Sequence, residues 1–265
     1  MALFRSSGSG KPVIYEQDFC EYSETFGKQP VLISCDRNFA KQLPTRDTPV
    51  CIKVQMEINA DPADPELVSE AELAHISHIR SIISQHIKGR YVGQGIVASQ
   101  SIVFFMIYIP QSGAKMAKTM LEQTKGSTFR RLEYTITPDP EGNQYMEYLY
   151  PDDVQQKQIE NRRILRSLHG YGDDGTTPRR VCFHVLFPNR RRAKDFADEV
   201  AEKGFVEEGI TEEPAPEGLV LPRQHLVVSR ELPFDVELLD LVDRYLLKVS
   251  KKYEGDYQTL ETDIV

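Results

Sequence analysis

The stretch VCFHVLF, residues Val181–Phe187, decides how the second half of this chain folds. Every second residue is a valine or a phenylalanine, and the residues between them include Cys182 and His184. A period of two is typical of a β-strand that buries one face, because successive side chains point to opposite sides of a sheet. We therefore predict a strand over residues 180–187 that presents Cys182, His184 and Leu186 on its second face.

The loop before this strand reads GYGDDG, residues Gly170–Gly175, and fits the G-x-G-x-x-G pattern of dinucleotide-binding loops. In such loops a strand comes first and a helix follows, so that backbone N–H groups at the helix N-terminus meet the phosphates. Here apolar residues at helical spacing between Val154 and Leu168 predict a helix before the loop, and the strand comes after it. Because the order is reversed, the sequence predicts a helix C-cap and a turn, with no bound cofactor.

Helices and strands alternate on both sides of this loop. The predicted helices cover residues 152–168, 190–203 and 235–252, and the predicted strands cover 180–187, 205–211, 223–230 and 256–264. Behind the leading helix the order is βαββαβ, the ferredoxin-like plan, in which two helices cover one sheet face and leave the other open. The parity of the third strand is ambiguous. If Leu226 and Val228 face the helices, His225 shares the open face with His184.

Residues 11–150 predict a separate α+β domain with an antiparallel or mixed sheet and two helices. One helix begins with the capping box Ser69-Glu70-Ala71-Glu72 and ends before Gly89, and the other covers Ala114–Gln123. Strands are predicted at Val13–Phe19, Val31–Cys35, Val50–Ile58, Tyr91–Ala98 and Ser101–Ile109, with a hairpin of Phe129–Thr137 and Tyr145–Tyr150. The chain therefore predicts two α+β domains, 11–150 and 151–265, after a flexible lead-in at residues 1–10.

Composition narrows the class of protein. A formal charge of −8 over 265 residues argues against non-specific binding to a polyanion, which needs an excess of lysine and arginine. The four cysteines form no C-x-x-C pair, so neither a zinc site nor a disulfide framework is indicated. No apolar run resembles a signal peptide or could span a membrane, so we expect a cytoplasmic protein.

Three histidines on the first predicted helix are candidates for a metal site. His75 and His78 lie three residues apart, and His86 follows further along the helix. His75 and His86 point in nearly the same direction but lie roughly 16 Å apart, too far to bind one metal ion together. We therefore predict half-buried histidines at the edge of the apolar stripe, and no metal.

The second half resembles a known family. The carrying segments are VCFHVLFPNRRRAKDFADEVAEKGFVEE, from Val181, and LPRQHLVVSRELPFDVELLDLVDRYLLKVSKKYEGDYQTLET, from Leu221. Over about residues 152–265 they resemble the regulator of ribonuclease activity B family, bacterial proteins that bind ribonuclease E and inhibit it. The resemblance implies a protein-binding domain without catalysis or cofactor. Residues 11–150 resemble a bacterial domain of unknown function that is often fused ahead of this regulator.

One segment departs from the family pattern. The family usually carries a Tyr-Asp-Gly-Trp-like run near its end, whereas this chain reads Tyr257-Gln258-Thr259-Leu260 and contains no tryptophan. Leu260 therefore stands where the family usually has a tryptophan, and the sequence leaves open whether this change abolishes inhibition.

Charged residues of the second half offer candidate contacts with a partner. Between residues 195 and 217, nine carboxylates accompany one base, Lys203, which suits either a basic partner or a solvated surface. Arg190, Arg191 and Arg192 fall in the first turn of a helix capped by Asn189, where the helix dipole favours carboxylates. This run is either exposed to solvent or a contact for an acidic partner or RNA phosphate.

We predict a non-enzymatic regulator that binds a protein partner, with ribonuclease E or a related RNA-processing complex implied by the resemblance. The candidate partner-binding residues are Glu207, Glu208, Glu212, Glu213, Arg190, Arg191, Arg192, His184, His225 and Tyr257. One alternative is a direct RNA-binding module that uses the open sheet face and Arg190–Arg192. A second alternative is a hydrolase in the first domain, built around His75 and His78. No membrane contact is expected, and the oligomeric state stays open.

Overall fold

The computed structural model describes residues 15–26, 29–59, 68–127, 131–214 and 222–265. The chain divides into two compact units, Met1–Tyr150 and Pro151–Val265. Each unit combines helices with an antiparallel sheet, of six strands in the first unit and four in the second, so the predicted α+β class is confirmed. Within the described residues, no helix is long and apolar enough to cross a membrane.

The second unit follows the predicted order of a leading helix and then βαββαβ. Its elements are α4 (Asp153–Gly170), β7 (Arg179–Phe187), α5 (Arg190–Ala201), β8 (Val206–Glu213), β9 (Arg223–Leu232), α6 (Val236–Lys252) and β10 (Asp256–Thr262). The strand order β10-β7-β9-β8 places the first and third strands of this plan side by side in the centre. This is the ferredoxin-like arrangement.

Polar side chains fix the starts of the helices in the second unit. Asn189 Oδ1 accepts a hydrogen bond from the backbone N–H of Arg192 at 3.0 Å, and Asp235 Oδ1 accepts one from Leu238 at 2.8 Å. At α4, Asp152 and Gln155 form a reciprocal capping box. Each cap satisfies a backbone donor that has no partner within its helix, which is why these residue types begin helices.

Alternate residues of β7 form the centre of the second unit's core. Val181, Phe183 and Val185 are fully buried beneath α5 and α6, and the core continues into Phe196 and Leu246 of these helices. Burying a side chain of this size contributes roughly 1.5–3 kcal/mol. The packing therefore holds β7 in one orientation, with its remaining side chains on the opposite face of the sheet.

The GYGDDG loop connects α4 to β7, as the reversed order of helix and strand predicts. Its Asp173 carboxylate forms a buried ion pair with Arg179 and accepts hydrogen bonds from the backbone N–H groups of Gly175 at 2.9 Å and Val265 at 3.0 Å. The hydrogen bond from Arg179 is the main reason that the pKa of Asp173 lies well below its usual range. The loop therefore has a structural role: it connects α4 to β7, and its Asp173 is hydrogen-bonded to the C-terminal segment.

The first unit builds a larger sheet. Its elements are β1 (Phe19–Phe26), β2 (Gln29–Asp36), β3 (Val50–Glu57), α1 (Glu70–Ile87), β4 (Arg90–Val97), β5 (Ile102–Ile109), α2 (Ala114–Ser127), β6 (Leu132–Pro138) and α3 (Asn143–Tyr148). The strand order is β1-β2-β4-β5-β3-β6, so the continuous apolar strand β5 is an interior strand. Isoleucines of α1, including Ile76, Ile79 and Ile83, pack against β3 and β5 in one core.

The predicted strand at Val13–Phe19 is wrong over residues 15–18, which the structure describes. Residues 15–18 have no strand structure, and β1 instead begins at Phe19 and runs to Phe26, while Val13 lies outside the described residues. Polar side chains hold the segment before β1, since Asp36 accepts hydrogen bonds from the Tyr15 hydroxyl and from the backbone N–H of Asp18. The two glutamates, the serine and the threonine within β1 hide its period of two.

The predicted strand at Tyr145–Tyr150 is also wrong, because residues 143–148 form the short helix α3. The carboxylate of Asp139 accepts hydrogen bonds from the backbone N–H groups of Asn143 at 2.8 Å and Gln144 at 3.0 Å, which starts a helical turn. The hydroxyl of Tyr108, on β5, donates to the same carboxylate at 2.6 Å. This contact between segments far apart in sequence replaces the expected hairpin.

We expect residues 151–265, produced alone, to fold and to unfold in one cooperative thermal transition. The reason is that their described apolar core is made of their own side chains, from Leu168 to Leu260. Circular dichroism during heating measures this transition. A soluble fragment that melts without a cooperative step would show that the two units share a core.

Candidate partner-binding surface

The sheet of the second unit has one face that α5 and α6 leave uncovered, and we call it the open face. On β7 it carries Cys182, His184 and Leu186, which alternate with the buried residues. Residues directly opposite each other on neighbouring strands share a face, and His225 lies opposite Leu186. The structure therefore places His225 of β9 on the open face, as the inward placement of Leu226 and Val228 requires.

His184 and His225 contact each other through their ring nitrogens. Nδ1 of His184 lies 3.0 Å from Nε2 of His225, within hydrogen-bonding distance. The ring centroids are 5.1 Å apart and the ring planes differ by 23°. In an edge-to-edge contact, the centroid distance equals the nitrogen–nitrogen distance plus one ring radius on each side. The observed centroid distance agrees with this sum, so the rings meet edge to edge and not face to face.

Each outer nitrogen of the histidine pair faces a carboxylate. Oε1 of Glu261, on β10, lies 3.3 Å from Nε2 of His184, and Oε1 of Glu213, on β8, lies 3.2 Å from Nδ1 of His225. The open face therefore carries a row of four titratable side chains that crosses all four strands. Among the described residues, Nε2 of His184 is buried without a well-formed hydrogen bond.

Two ion pairs lie on the open face. Arg180 contacts the carboxylate of Glu208 at 2.5 Å, and the hydroxyl of Ser229 donates to the same carboxylate. Arg223 lies 3.5 Å from Asp256. The open face therefore carries charges of both signs, and each of these two arginines lies next to a carboxylate.

The four candidate glutamates divide between the two sides of the sheet. Glu208 and Glu213 lie on the open face, whereas Glu207 lies opposite the buried Val228 and pairs at 3.0 Å with Lys194 of α5. Glu212 lies opposite Gln224 and accepts its hydrogen bond at 3.2 Å, on the side of the helices. The sequence placed Glu212 and Glu213 in a loop after residue 211, but β8 continues to Glu213 because it stays paired with β9.

The acidic run has two bases beside it, and one of them comes from a distant part of the chain. Lys194 pairs with Asp198 and Glu207, and Lys252 pairs with Glu199. Glu217, the last carboxylate of the run, lies outside the described residues. The run is therefore a partly neutralised surface and not a block of unpaired carboxylates.

The arginine run occupies the first turn of α5, as predicted. Arg190 and Arg191 are exposed, and Arg191 lies 4.0 Å from Asp195. Arg192 pairs with Glu254 at 2.8 Å. These carboxylates offset the unfavourable interaction of the arginines with the helix dipole, so the run needs no partner to be tolerated.

The structure does not place Tyr257 on a surface. Its side chain is 4% exposed, and its hydroxyl donates to the buried carboxylate of Asp243 at 2.6 Å. Asn161 donates to the other oxygen of Asp243 at 2.7 Å. Leu260 is buried in the same core, so the position at which this chain departs from the resembled pattern lies in the interior of the unit. Tyr257 is therefore a core residue and is not available for contact with a partner.

The histidines of α1 do not converge. His75 is half-buried, His78 is exposed, and Nδ1 of His86 contacts the carbonyl of Ile82 in its own helix at 2.8 Å. Across the described residues, no three side chains of the metal-ligating types come together around one position. Nothing in this geometry supports the hydrolase alternative.

Sequence reasoning missed the partners that surround the histidine pair. Glu261, Arg180 and Arg223 were not identified, although each lies at an alternating position of a predicted strand. The period of two could have placed Glu261 and Arg180 on the outer face, but not beside His184 or Glu208. Those contacts follow from the strand order and the register, which the sequence pattern does not specify.

Two family models match this chain. Residues 158–262 match RraB, described as "Regulator of ribonuclease activity B", and residues 17–150 match DUF695, described as "Family of unknown function". Both matches agree with the two resemblances inferred from the sequence. No curated protein matches the chain.

Solved structures add little to these matches. An unknown protein from Galdieria sulphuraria is 14% identical, with a TM-score of 0.23, and the match covers 82% of this chain and 99% of that one. A proposed glycine cleavage system transcriptional repressor is 9% identical, with a TM-score of 0.26 and the same two coverages. Similarities this weak carry no argument about function.

We expect Tyr257→Phe to destabilise the second unit by roughly 1–3 kcal/mol, because a buried carboxylate loses a hydrogen-bond donor. Burial raises the pKa of Asp243, so ionising this group costs stability as pH rises through its folded pKa. The destabilisation caused by Tyr257→Phe should therefore be larger at about pH 8 than at about pH 4. Urea unfolding of the full chain at both pH values measures it.

Tyr253→Phe is the matched control, since this hydroxyl donates to Glu199 near the surface and its loss should change stability little. Equal effects of the two variants at both pH values would contradict the role assigned to the buried pair.

Proposed function

This chain belongs to the family of unknown function DUF695 through residues 17–150, and we propose that its second unit makes it a non-catalytic regulator of ribonuclease activity. In this proposal the second unit acts by binding a protein, and ribonuclease E is the partner that the resemblance implies. The match to the regulator family carries the proposal. It covers all four strands of the second sheet, from β7 to β10.

The charge of the second unit supports a basic partner. Residues 151–265 contain 17 lysines and arginines against 23 aspartates and glutamates, a net charge of −6 of the −8 on the whole chain. Local ion pairs neutralise part of the acidic run, but the net charge still acts over a Debye length of roughly 8–10 Å. Such a field mainly raises the rate of association with an oppositely charged segment.

We propose that the open face, with the edge strand β8, is the contact surface. The edge position leaves one side of β8 without a neighbouring strand in this sheet, and Val206 at its start is 60% exposed. On the same face Glu208 and Glu213 are paired with Arg180 and His225. A basic segment of the partner can compete with Arg180 and His225 for these two carboxylates.

Direct RNA binding has less support on this face. Sheets that bind single-stranded RNA stack bases on aromatic side chains. The described open-face residues of β7 and β9 include no phenylalanine, tyrosine or tryptophan, and the two histidine rings contact each other and face carboxylates. Glu208, Glu213 and Glu261 would also repel phosphate groups. Two of the three arginines of the α5 run already have carboxylate partners.

The two sides of β8 provide a matched experiment. Glu208→Gln with Glu213→Gln removes two charges from the open face, and Glu207→Gln with Glu212→Gln removes two charges from the side of the helices. If the open face binds, the first double variant should weaken binding to the purified scaffold segment of ribonuclease E about tenfold, or ~1.4 kcal/mol. The second should change it little. Surface plasmon resonance gives both rate constants.

Three other outcomes of these binding measurements would contradict the proposed contact surface or the proposed partner. If both double variants slow association equally, the net charge of the second unit attracts the partner, and the open face is not the specific contact surface. Unchanged scaffold binding in both, together with RNA binding that is lost when Arg190, Arg191 and Arg192 are replaced by alanine, would favour the RNA-binding module. Absence of any binding by the wild-type chain would exclude ribonuclease E as the partner.

A further inference from the structure

We propose that His184 and His225 form a binding site for a divalent transition-metal ion on the open face, with a preference for Cu(II). The inference rests on the geometry of this histidine pair and does not depend on the proposed function. Imidazole nitrogens are common ligands of copper, nickel and zinc, and for a given nitrogen site Cu(II) binds most tightly among these ions.

The separation of the two facing nitrogens suits one metal ion. Nδ1 of His184 and Nε2 of His225 are 3.0 Å apart. Two nitrogens at 2.0–2.1 Å from an ion, at a right angle to one another, are about 2.9 Å apart. A right angle is the arrangement of neighbouring ligands in the square-planar and tetragonal sites of Cu(II) and Ni(II). Because the rings meet edge to edge, each ring has to turn about its Cβ–Cγ bond until its lone pair points at the ion.

The flanking carboxylates prepare the pair for a cation. Without an ion the two inner nitrogens, Nδ1 of His184 and Nε2 of His225, lie within hydrogen-bonding distance, so one of them carries a proton. An ion takes the place of that proton and binds a lone pair of each ring. The N–H groups of the ion-bound rings then lie on Nε2 of His184 and Nδ1 of His225, which face Glu261 and Glu213. Histidines that bind metals usually donate their other ring N–H to a carboxylate in the same way.

The position of the site on the fold favours binding and exchange. β7 and β9 are the central, hydrogen-bonded neighbours of the sheet, so the two rings are held on rigid elements. The side chains of His184 and His225 are 16% and 23% exposed, which leaves access for water from solvent. Since no third ligating side chain converges with them among the described residues, water completes the coordination of the ion.

Titration of the metal-free full chain with Cu(II) tests the inference. We expect calorimetry to show one equivalent bound, with a rise in the melting temperature of the second unit because the ion binds the folded state. His184→Gln and His225→Gln should each weaken this binding at least tenfold. His169→Gln, which removes an exposed histidine at the end of α4, is the matched control and should leave binding unchanged.

Glu261→Gln and Glu213→Gln test the role of the carboxylates as positioning residues. Each should weaken Cu(II) binding about tenfold, the lower end of the effect of losing such a partner. Both variants keep the two histidines, so a loss of affinity reports on the orientation and the proton of each ring. Unchanged affinity in both would overturn the assigned role of the carboxylates.

Electron paramagnetic resonance of the wild-type chain keeps the proposal testable even if a variant does not fold. The expected spectrum of the one-equivalent complex shows coupling to two imidazole nitrogens. A spectrum without imidazole coupling overturns the proposal, as does affinity unaltered in both histidine variants. Absence of saturable binding at millimolar Cu(II) also overturns it, and leaves the pair with a shared proton only.

Discussion

The alternation of side chains along β7 is the constraint on which the second unit depends. Val181, Phe183 and Val185 can be buried against α5 and α6 only if His184 and its alternating neighbours lie on the other side of the sheet. A shift of one residue would bury His184 and expose three apolar side chains, at a cost comparable to the net stability of a small domain. The core therefore determines the chemistry of the open face, although the two sides share no side chain.

Pairing between strands then decides which polar groups meet. Glu261, His184, His225 and Glu213 come from four different strands, and they form one row because the strand order is β10-β7-β9-β8. The same pairing divides the acidic residues of β8 between two faces and brings Lys194 and Arg180 to them. An acidic run in a sequence therefore cannot be equated with an acidic surface, because neighbouring strands and helices supply counter-charges.

The sequence predicted helices and strands correctly where the residues that determine an element lie within or next to that element. The predicted caps at Ser69 and Asn189 each lie next to the helix that they begin, and the structure confirms both. The predictions failed where a distant group decides the structure. Asp139, held by Tyr108, starts α3 where a strand was expected, and β1 was missed because pairing with β2 stabilises a strand rich in polar residues.

The sequence by itself determined the α+β class, the order of helices and strands in the second unit, and the resemblance to a ribonuclease regulator. These properties depend on periodicity and capping, which act over a few residues, and on motifs that lie in one stretch of chain. Only the tertiary structure decided that Tyr257 is buried against Asp243, that Glu207 and Glu208 face opposite sides, and that two histidines meet between two carboxylates. Each of these depends on contacts between residues far apart in the chain, because strand register and helix packing, and not local sequence, set the distances between them.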